Sequence, residues 1–147
     1  MDLRELYQEV ILDHNKRPRN WGRLEDANLM AEGYNPLCGD CVAITVKTAD
    51  NRVQEIKFDG AGCAISTASA SMMTEAVKGK TLEEAEAIFR RFQEVVTSPD
   101  AELPDDLGDL AALAGVRDHP VRIKCAILAW HALHEALVGE GGKVTTE

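Results

Sequence analysis

Apolar residues recur with two different periods along this chain, and the change of period divides it into elements. Leu3, Leu6, Tyr7, Val10 and Ile11 follow helical spacing, with Asp2 placed to cap the first turn. From Asn15 to Asn28 the pattern lapses into Pro, Gly, Asn and charge, which predicts a surface connection anchored by Trp21. Leu29 to Tyr34 is a weak strand candidate. Val42, Ile44 and Val46 then alternate with Ala43, Thr45 and Lys47, and Val53, Ile56 and Phe58 follow the polar turn Ala49-Asp50-Asn51-Arg52. So short a turn joins antiparallel strands, so the expected sheet is a small antiparallel meander.

The second half reads as helical. Ser66 to Val77 is a helix closed at Lys78-Gly79, where glycine takes the left-handed cap conformation. Thr81-Leu82-Glu83-Glu84 is a capping box, and Leu82, Ala85, Ile88, Phe89, Phe92 and Val96 form the stripe behind it. A proline-broken acidic stretch, Ser98 to Gly108, leads to a short helix near Leu110 to Ala114 that ends at Gly115. Pro120 opens a last helix reaching about Val138. Strands followed by helices predict an α+β fold: a three-stranded antiparallel sheet with helices packed mainly on one face. Residues 1–139 form a single domain, and 140–147 a flexible tail.

Charge and composition narrow the function. A net charge of -9 repels phosphate backbones, which argues against nucleic acid as a partner. No run approaches the ~20 apolar residues of a membrane span, and Met1-Asp2-Leu3-Arg4-Glu5-Leu6 lacks the order of a secretory signal. The expected location is cytoplasmic, where the 4 cysteines serve as thiols or metal ligands rather than disulfides.

Three of those cysteines sit beside turns or helix starts. Cys38 and Asp40 precede the first hairpin strand, Cys63 follows the second, and Cys125 lies in the first turns of the last helix. Hairpin geometry puts Cys38, Asp40 and Cys63 at one edge of the sheet, leaving Cys125 to be delivered by tertiary packing. Three thiols and a carboxylate make a four-ligand metal site, with Gly39, Gly60 and Gly62 giving the loops room. On the last helix Cys125 projects about 160° from the stripe Ile123, Ile127, Trp130, Leu133 and Leu137, away from the core. Arg122 and Lys124 are placed to offset the anionic charge of such a site. Asp40, the hard ligand among soft ones, is the expected labile donor, although a partner's donor could displace a cysteine instead.

Zinc and iron-sulfur centres both favour sulfur, so ligand type leaves the choice between Zn²⁺ and a transient [2Fe-2S] cluster open. Two other readings compete. Cys38-Gly39-Asp40-Cys41 has the Cys-x-x-Cys spacing of thiol oxidoreductases, although Cys41 leads into a strand instead of opening a helix and is expected to be a half-buried spectator. Closure by four protein ligands would equally suit a structural zinc module. Among the histidines, His14 and His119 read as terminus or cap residues, His131 as outward-facing beside Glu135, and His134 as packed.

Asn35-Pro36-Leu37-Cys38-Gly39-Asp40, Gly60-Ala61-Gly62-Cys63-Ala64-Ile65-Ser66 and Lys124-Cys125-Ala126-Ile127-Leu128-Ala129-Trp130 closely resemble the U-type iron-sulfur cluster assembly proteins, the IscU/SufU and NifU amino-terminal family. The likeness runs from the first helix to Leu137. Lys124 stands where the IscU-like scaffold branch carries histidine, and the extra chain from Val96 to Asp118 resembles the SufU-like branch. The resemblance implies a SufE/NifU-like two-layer fold. It also implies a Zn²⁺ site on Cys38, Asp40, Cys63 and Cys125 that accepts persulfide sulfur from a pyridoxal-phosphate cysteine desulfurase and serves downstream iron-sulfur assembly or acceptor proteins. A scaffold role, holding a transient [2Fe-2S] cluster on the same residues, is the alternative. The catalytic thiols are Cys38 and Cys125: the SufU-like branch suggests Cys38 as first acceptor, the scaffold branch Cys125.

Overall fold

A computed structural model describes residues 3–98, 105–139 and 142–145. Helix α1 (Leu3–Lys16) leads through the Pro/Gly connection into strands β1 (Leu29–Asn35), β2 (Asp40–Ala49) and β3 (Arg52–Ala61). Helices α2 (Ala64–Val77) and α3 (Leu82–Thr97) follow, then a 3₁₀ segment (Asp105–Asp118), helix α4 (Pro120–Val138) and strand β4 (Gly142–Thr145). The proposed cap Asp2 lies outside the described residues, as do the side chains of Leu3, Leu6 and Tyr7.

The antiparallel meander is present. β1 pairs with β2 from Leu29 opposite Val46 to Asn35 opposite Asp40, and β2 pairs with β3 from Cys41 opposite Ala61 to Ala49 opposite Arg52. Asp50 and Asn51 take left-handed φ of 53° and 61° at the hairpin turn, a conformation Asp and Asn tolerate better than other side chains. Within the expected tail, Gly142–Thr145 form a fourth strand. β4 pairs parallel to β1, with Ala31 opposite Gly142 and Tyr34 opposite Thr145, giving the order β3-β2-β1-β4. Four residues carry too little alternation to announce a strand; the free edge of β1 recruits them.

Helices α2 and α4 lie against the sheet, α1 packs on α2, and α3 packs on α2 and α4. The core joins Ile44, Val46, Val53, Ile56 and Phe58 from the sheet to Met73, Val77, Phe92, Leu128, Trp130 and Leu133 from the helices. On the other face the connection after α1 folds over the strands. There Leu24 N–H donates to Thr45 Oγ1 at 3.0 Å; along the edge of β3, Trp21, half exposed, meets the ring of core-facing Phe58 edge-on with centroids 5.2 Å apart. Thr45 is covered by this contact, and Ala43 and Thr45 are both buried, positions that alternation alone assigns to solvent.

The helix boundaries follow local chemistry. Thr81 Oγ1 accepts from Glu84 N–H at 3.1 Å while Glu84 Oε1 accepts from Thr81 N–H at 3.2 Å, so the capping box is complete. Gly79 takes the left-handed φ of 82° after α2, and Pro120 occupies the first turn of α4. The segment expected as a short helix near Leu110 is instead 3₁₀ over Asp105–Asp118, interrupted at Gly108.

Two histidine readings change. His14 is not a loose terminus: it is buried, with Nδ1 2.8 Å from Ser71 Oγ and Nε2 3.3 Å from Asp109 Oδ2, tying α1 to α2 and the 3₁₀ segment. His131, expected outward, is half-buried with its edge on the Phe89 ring. His134 stacks on the other side of Phe89 and meets Glu86 Oε2 at 2.9 Å, a packed histidine. No helix among the described residues is long and apolar enough to cross a membrane.

Candidate metal centre

The turn between β1 and β2 presents the first thiol. Asn35 carbonyl accepts Gly39 N–H at 2.9 Å, and Asn35 Oδ1 accepts Leu37 N–H at 3.2 Å, closing a loop that leaves Cys38 and Leu37 exposed. Gly39 completes it with φ of 72°, in the left-handed region that glycine enters without steric cost.

Asp40 opens β2 and points the other way, to full burial. Its Oδ1 accepts Cys63 N–H at 2.8 Å, and its carboxylate is packed so closely on Gly62 that a Cβ there would stand 2.7 Å from Oδ1. Such anchoring opposes the lability expected of Asp40 from ligand hardness alone. Cys63 is half-buried and is itself the N-cap of α2, its sulfur accepting Ser66 N–H at 3.4 Å. The helix dipole therefore directs its positive end at that sulfur.

Cys125 corrects the sequence reading. It is 0% exposed rather than turned from the core, because α4 is enclosed by α2, α3, the 3₁₀ segment and the sheet, and every residue from Cys125 to Trp130 is buried. A single apolar stripe does not describe a helix surrounded on all sides. Its Sγ lies 3.4 Å from Cys38 Sγ. Burial pushes the Cys125 thiol well above its ordinary range, and the neighbouring Asp40 and Cys38 add to the rise. In the metal-free chain this sulfur is a thiol; a bound cation reverses that balance.

The donor atoms of Cys38, Asp40 and Cys125 all lie within 4.8 Å of one another. Cys63 is not in that tightest trio, but its Sγ is 4.0 Å from Asp40 Oδ2. Tetrahedral zinc with Zn–S bonds of about 2.3 Å separates its sulfurs by about 3.8 Å, so the spacing of Cys38, Asp40 and Cys125 suits a zinc-sized ion, whereas Cys63 would have to move closer to join them. The donor chemistry fits as well: three sulfurs and one carboxylate, deep on one side and open on the other. Next in the chain to Cys38 is Leu37, 62% exposed, and in the turn of α4 before Cys125 are Val121, 53% exposed, and the exposed Arg122.

Cys41 stands apart. It is exposed, not half-buried, and lines a shallow cleft with Arg23, Glu32, Tyr34 and Asp59 on the opposite side of the strand from Asp40. A cleft of about 540 Å³ lies between α2 and α3, lined by charged residues such as Glu75, Lys80, Glu84 and Arg91, and contains no thiol. Sequence reasoning assigned no role to Asn35, whose buried amide nitrogen is 3.5 Å from Asp40 Oδ2 and 3.6 Å from Cys125 Sγ. Its place in the Asn-Pro-Leu-Cys run was the only signal.

With this geometry in hand, comparison with known proteins decides the family. The model of the NifU-like N terminal domain matches residues 6–144. The chain belongs to the NifU-like N-terminal domain family. Within this NifU-like family it is similar to the zinc-dependent sulfurtransferase SufU of Bacillus subtilis, 45% identical over 96% of this chain and 95% of that protein. It is also similar to the iron-sulfur cluster assembly scaffold protein IscU of Streptococcus pyogenes, 46% identical over 92% of this chain and 84% of that one. Among solved structures, the protein assigned as the SUF-system iron-sulfur cluster assembly scaffold of Fervidobacterium islandicum superposes with a TM-score of 0.83 at 33% identity, covering 90% of this chain and 97% of that one. The NifU-like α+β fold and a place among the iron-sulfur assembly proteins follow.

Proposed function

We propose that the chain is a cytoplasmic sulfur carrier of iron-sulfur cluster biogenesis. Cys38, Asp40, Cys63 and Cys125 would hold Zn²⁺, and Cys38 would take persulfide sulfur from a pyridoxal-phosphate cysteine desulfurase. The observation that carries this reading is the pairing of an exposed Cys38 sulfur with a buried Cys125 sulfur 3.4 Å away. Bound zinc would supply thiolates at neutral pH, where a free thiol is only a few percent ionised.

The residues divide the work. Cys38, on its exposed turn, can swing toward a partner. Its thiolate attacks the outer sulfur of the partner's persulfide; the partner's S–S bond breaks, a new one forms at Cys38, and the partner's cysteine departs as a thiolate. The transferred sulfur keeps its proton and no net oxidation occurs. Cys125 is closed to an incoming persulfide by burial, so it serves as a retained donor. Leu37 and Val121 supply apolar area for docking, and Arg122 a cation for an anionic partner.

The test uses desulfurase charged with labelled cysteine. Wild type should take up label, Cys38→Ser should lose most of it, and Cys125→Ser should retain detectable uptake. The reverse order would make Cys125 the first acceptor and overturn the assignment.

A scaffold role on the same residues is the second reading, favoured by the likeness to the Streptococcus pyogenes IscU. A [2Fe-2S] cluster would then be cargo, passed to downstream acceptor proteins. Metal analysis of protein purified without oxygen separates the two: one equivalent of retained zinc supports sulfur transfer, a transferable cluster supports scaffolding.

A further inference from the structure

Asn35 is 0% exposed and spends every polar atom of its side chain at the centre. Oδ1 accepts Leu37 N–H from the Cys38 turn at 3.2 Å. That contact fixes the amide orientation, since the oxygen must face a donor, and turns Nδ2 inward. Nδ2 carries two N–H bonds and has two acceptors, Asp40 Oδ2 at 3.5 Å and Cys125 Sγ at 3.6 Å. Both accept best as anions, the forms in which they bind a cation. A neutral amide can donate to both without adding charge to the buried pocket.

The division of labour at the site follows. Asp40 is held on one oxygen by Cys63 N–H and on the other by Asn35, and Cys125 is held by burial and by the same amide. Among the described residues no hydrogen bond joins Cys38 to the Asn35 amide nitrogen; Cys38 rides on the turn that Asn35 Oδ1 braces. We infer that Asn35 is a positioning residue that keeps Asp40 and Cys125 as the retained metal donors and so makes Cys38 the donor that leaves. This deepens the proposed function and rests on its metal site, but not on sulfur transfer itself.

Substituting Asn35→Asp keeps the size and the acceptor for Leu37 N–H while removing the donor; Asn35→Ala removes both. The full chain, loaded with zinc, is compared in three ways: zinc release to a chromogenic chelator, the absorption spectrum of the cobalt(II)-substituted protein, and the order in which iodoacetamide modifies Cys38 and Cys125. Loss of an outer-shell hydrogen bond weakens metal binding by about 10- to 100-fold, and that loss is expected in both variants. The cobalt spectrum should change, and Cys125, protected in wild type until after Cys38 reacts, should be modified at a comparable rate.

Binding within about two-fold of wild type in Asn35→Asp, with Cys38 still modified first, overturns the inference. So does a loss of affinity with an unchanged cobalt spectrum and a matching fall in the unfolding midpoint of the metal-free chain, which is a purely structural effect. If Asn35→Ala does not fold, Asn35→Asp alone decides. Wild type that binds zinc but takes no persulfide sulfur refutes the proposed function and leaves this comparison intact; wild type that binds neither zinc nor cobalt overturns the inference.

Discussion

A methyl group at position 62 would stand 2.7 Å from Oδ1 of Asp40, so the carboxylate keeps its place only because its neighbour has no side chain. Gly62→Ala should displace Asp40 and weaken zinc binding by at least about tenfold while leaving the metal-free fold in place, measurable by chelator competition and circular dichroism. A second residue governs acid stability. Burial, reinforced by the nearby His134, lowers the pKa of His131 from its ordinary 6.5. Phe89 packs on both rings, Glu86 pairs with His134, and among the described residues no ion pair to His131 is found. A depressed histidine favours the folded state fully above the unfolded value of about 6.5, and that contribution is lost as pH falls through the folded value, because the unfolded chain binds the proton first. Urea unfolding from pH 7.5 down to pH 5 should show this decline, and His131→Gln should make it shallower; an unchanged slope would show that His131 does not set it.

At the level of elements, the β2–β3 hairpin and α3 follow from local pattern alone. The β2–β3 hairpin has alternation and a polar turn, and α3 has a stripe and a capping box whose bonds form at 3.1 and 3.2 Å. Thr81→Ala removes the side-chain half of that box and should cost about 1 kcal/mol of stability, seen as a lower urea midpoint with an unchanged slope. The readings of Cys125 and His14 fail for one reason: both depend on partners remote in sequence. A single stripe on α4 points Cys125 outward, whereas the whole run from Cys125 to Trp130 is buried. His14 is held by Ser71 and Asp109, 57 and 95 residues away, and nothing in its own neighbourhood announces them. The thiols were legible because each sits beside a turn or helix start; the Asn35 amide was not, because its role is visible only once Cys125 arrives 90 residues later.

For the molecule as a whole, β3 and β1 each gain a partner along part of their outer edge. Residues 20–22 run along β3, with Phe58 N–H donating to Asn20 carbonyl at 3.0 Å and Gly22 N–H to Phe58 carbonyl at 2.8 Å, and β4 covers β1. An uncovered strand invites pairing with another chain, so these covers protect against association. β4 also bears on the metal centre: its last pairing sets Thr145 opposite Tyr34, the residue before Asn35. Ending the chain after Gly139 would strip β1 of that partner exactly where the strand runs into the Cys38 turn. The truncated protein should therefore associate in a concentration-dependent way by light scattering, exchange the β1 amide hydrogens faster, and release zinc to a chelator faster than the full chain. If it stayed monomeric with unchanged exchange in β1 and unchanged zinc release, β4 would be a dispensable cover rather than a brace for the strand that carries Asn35.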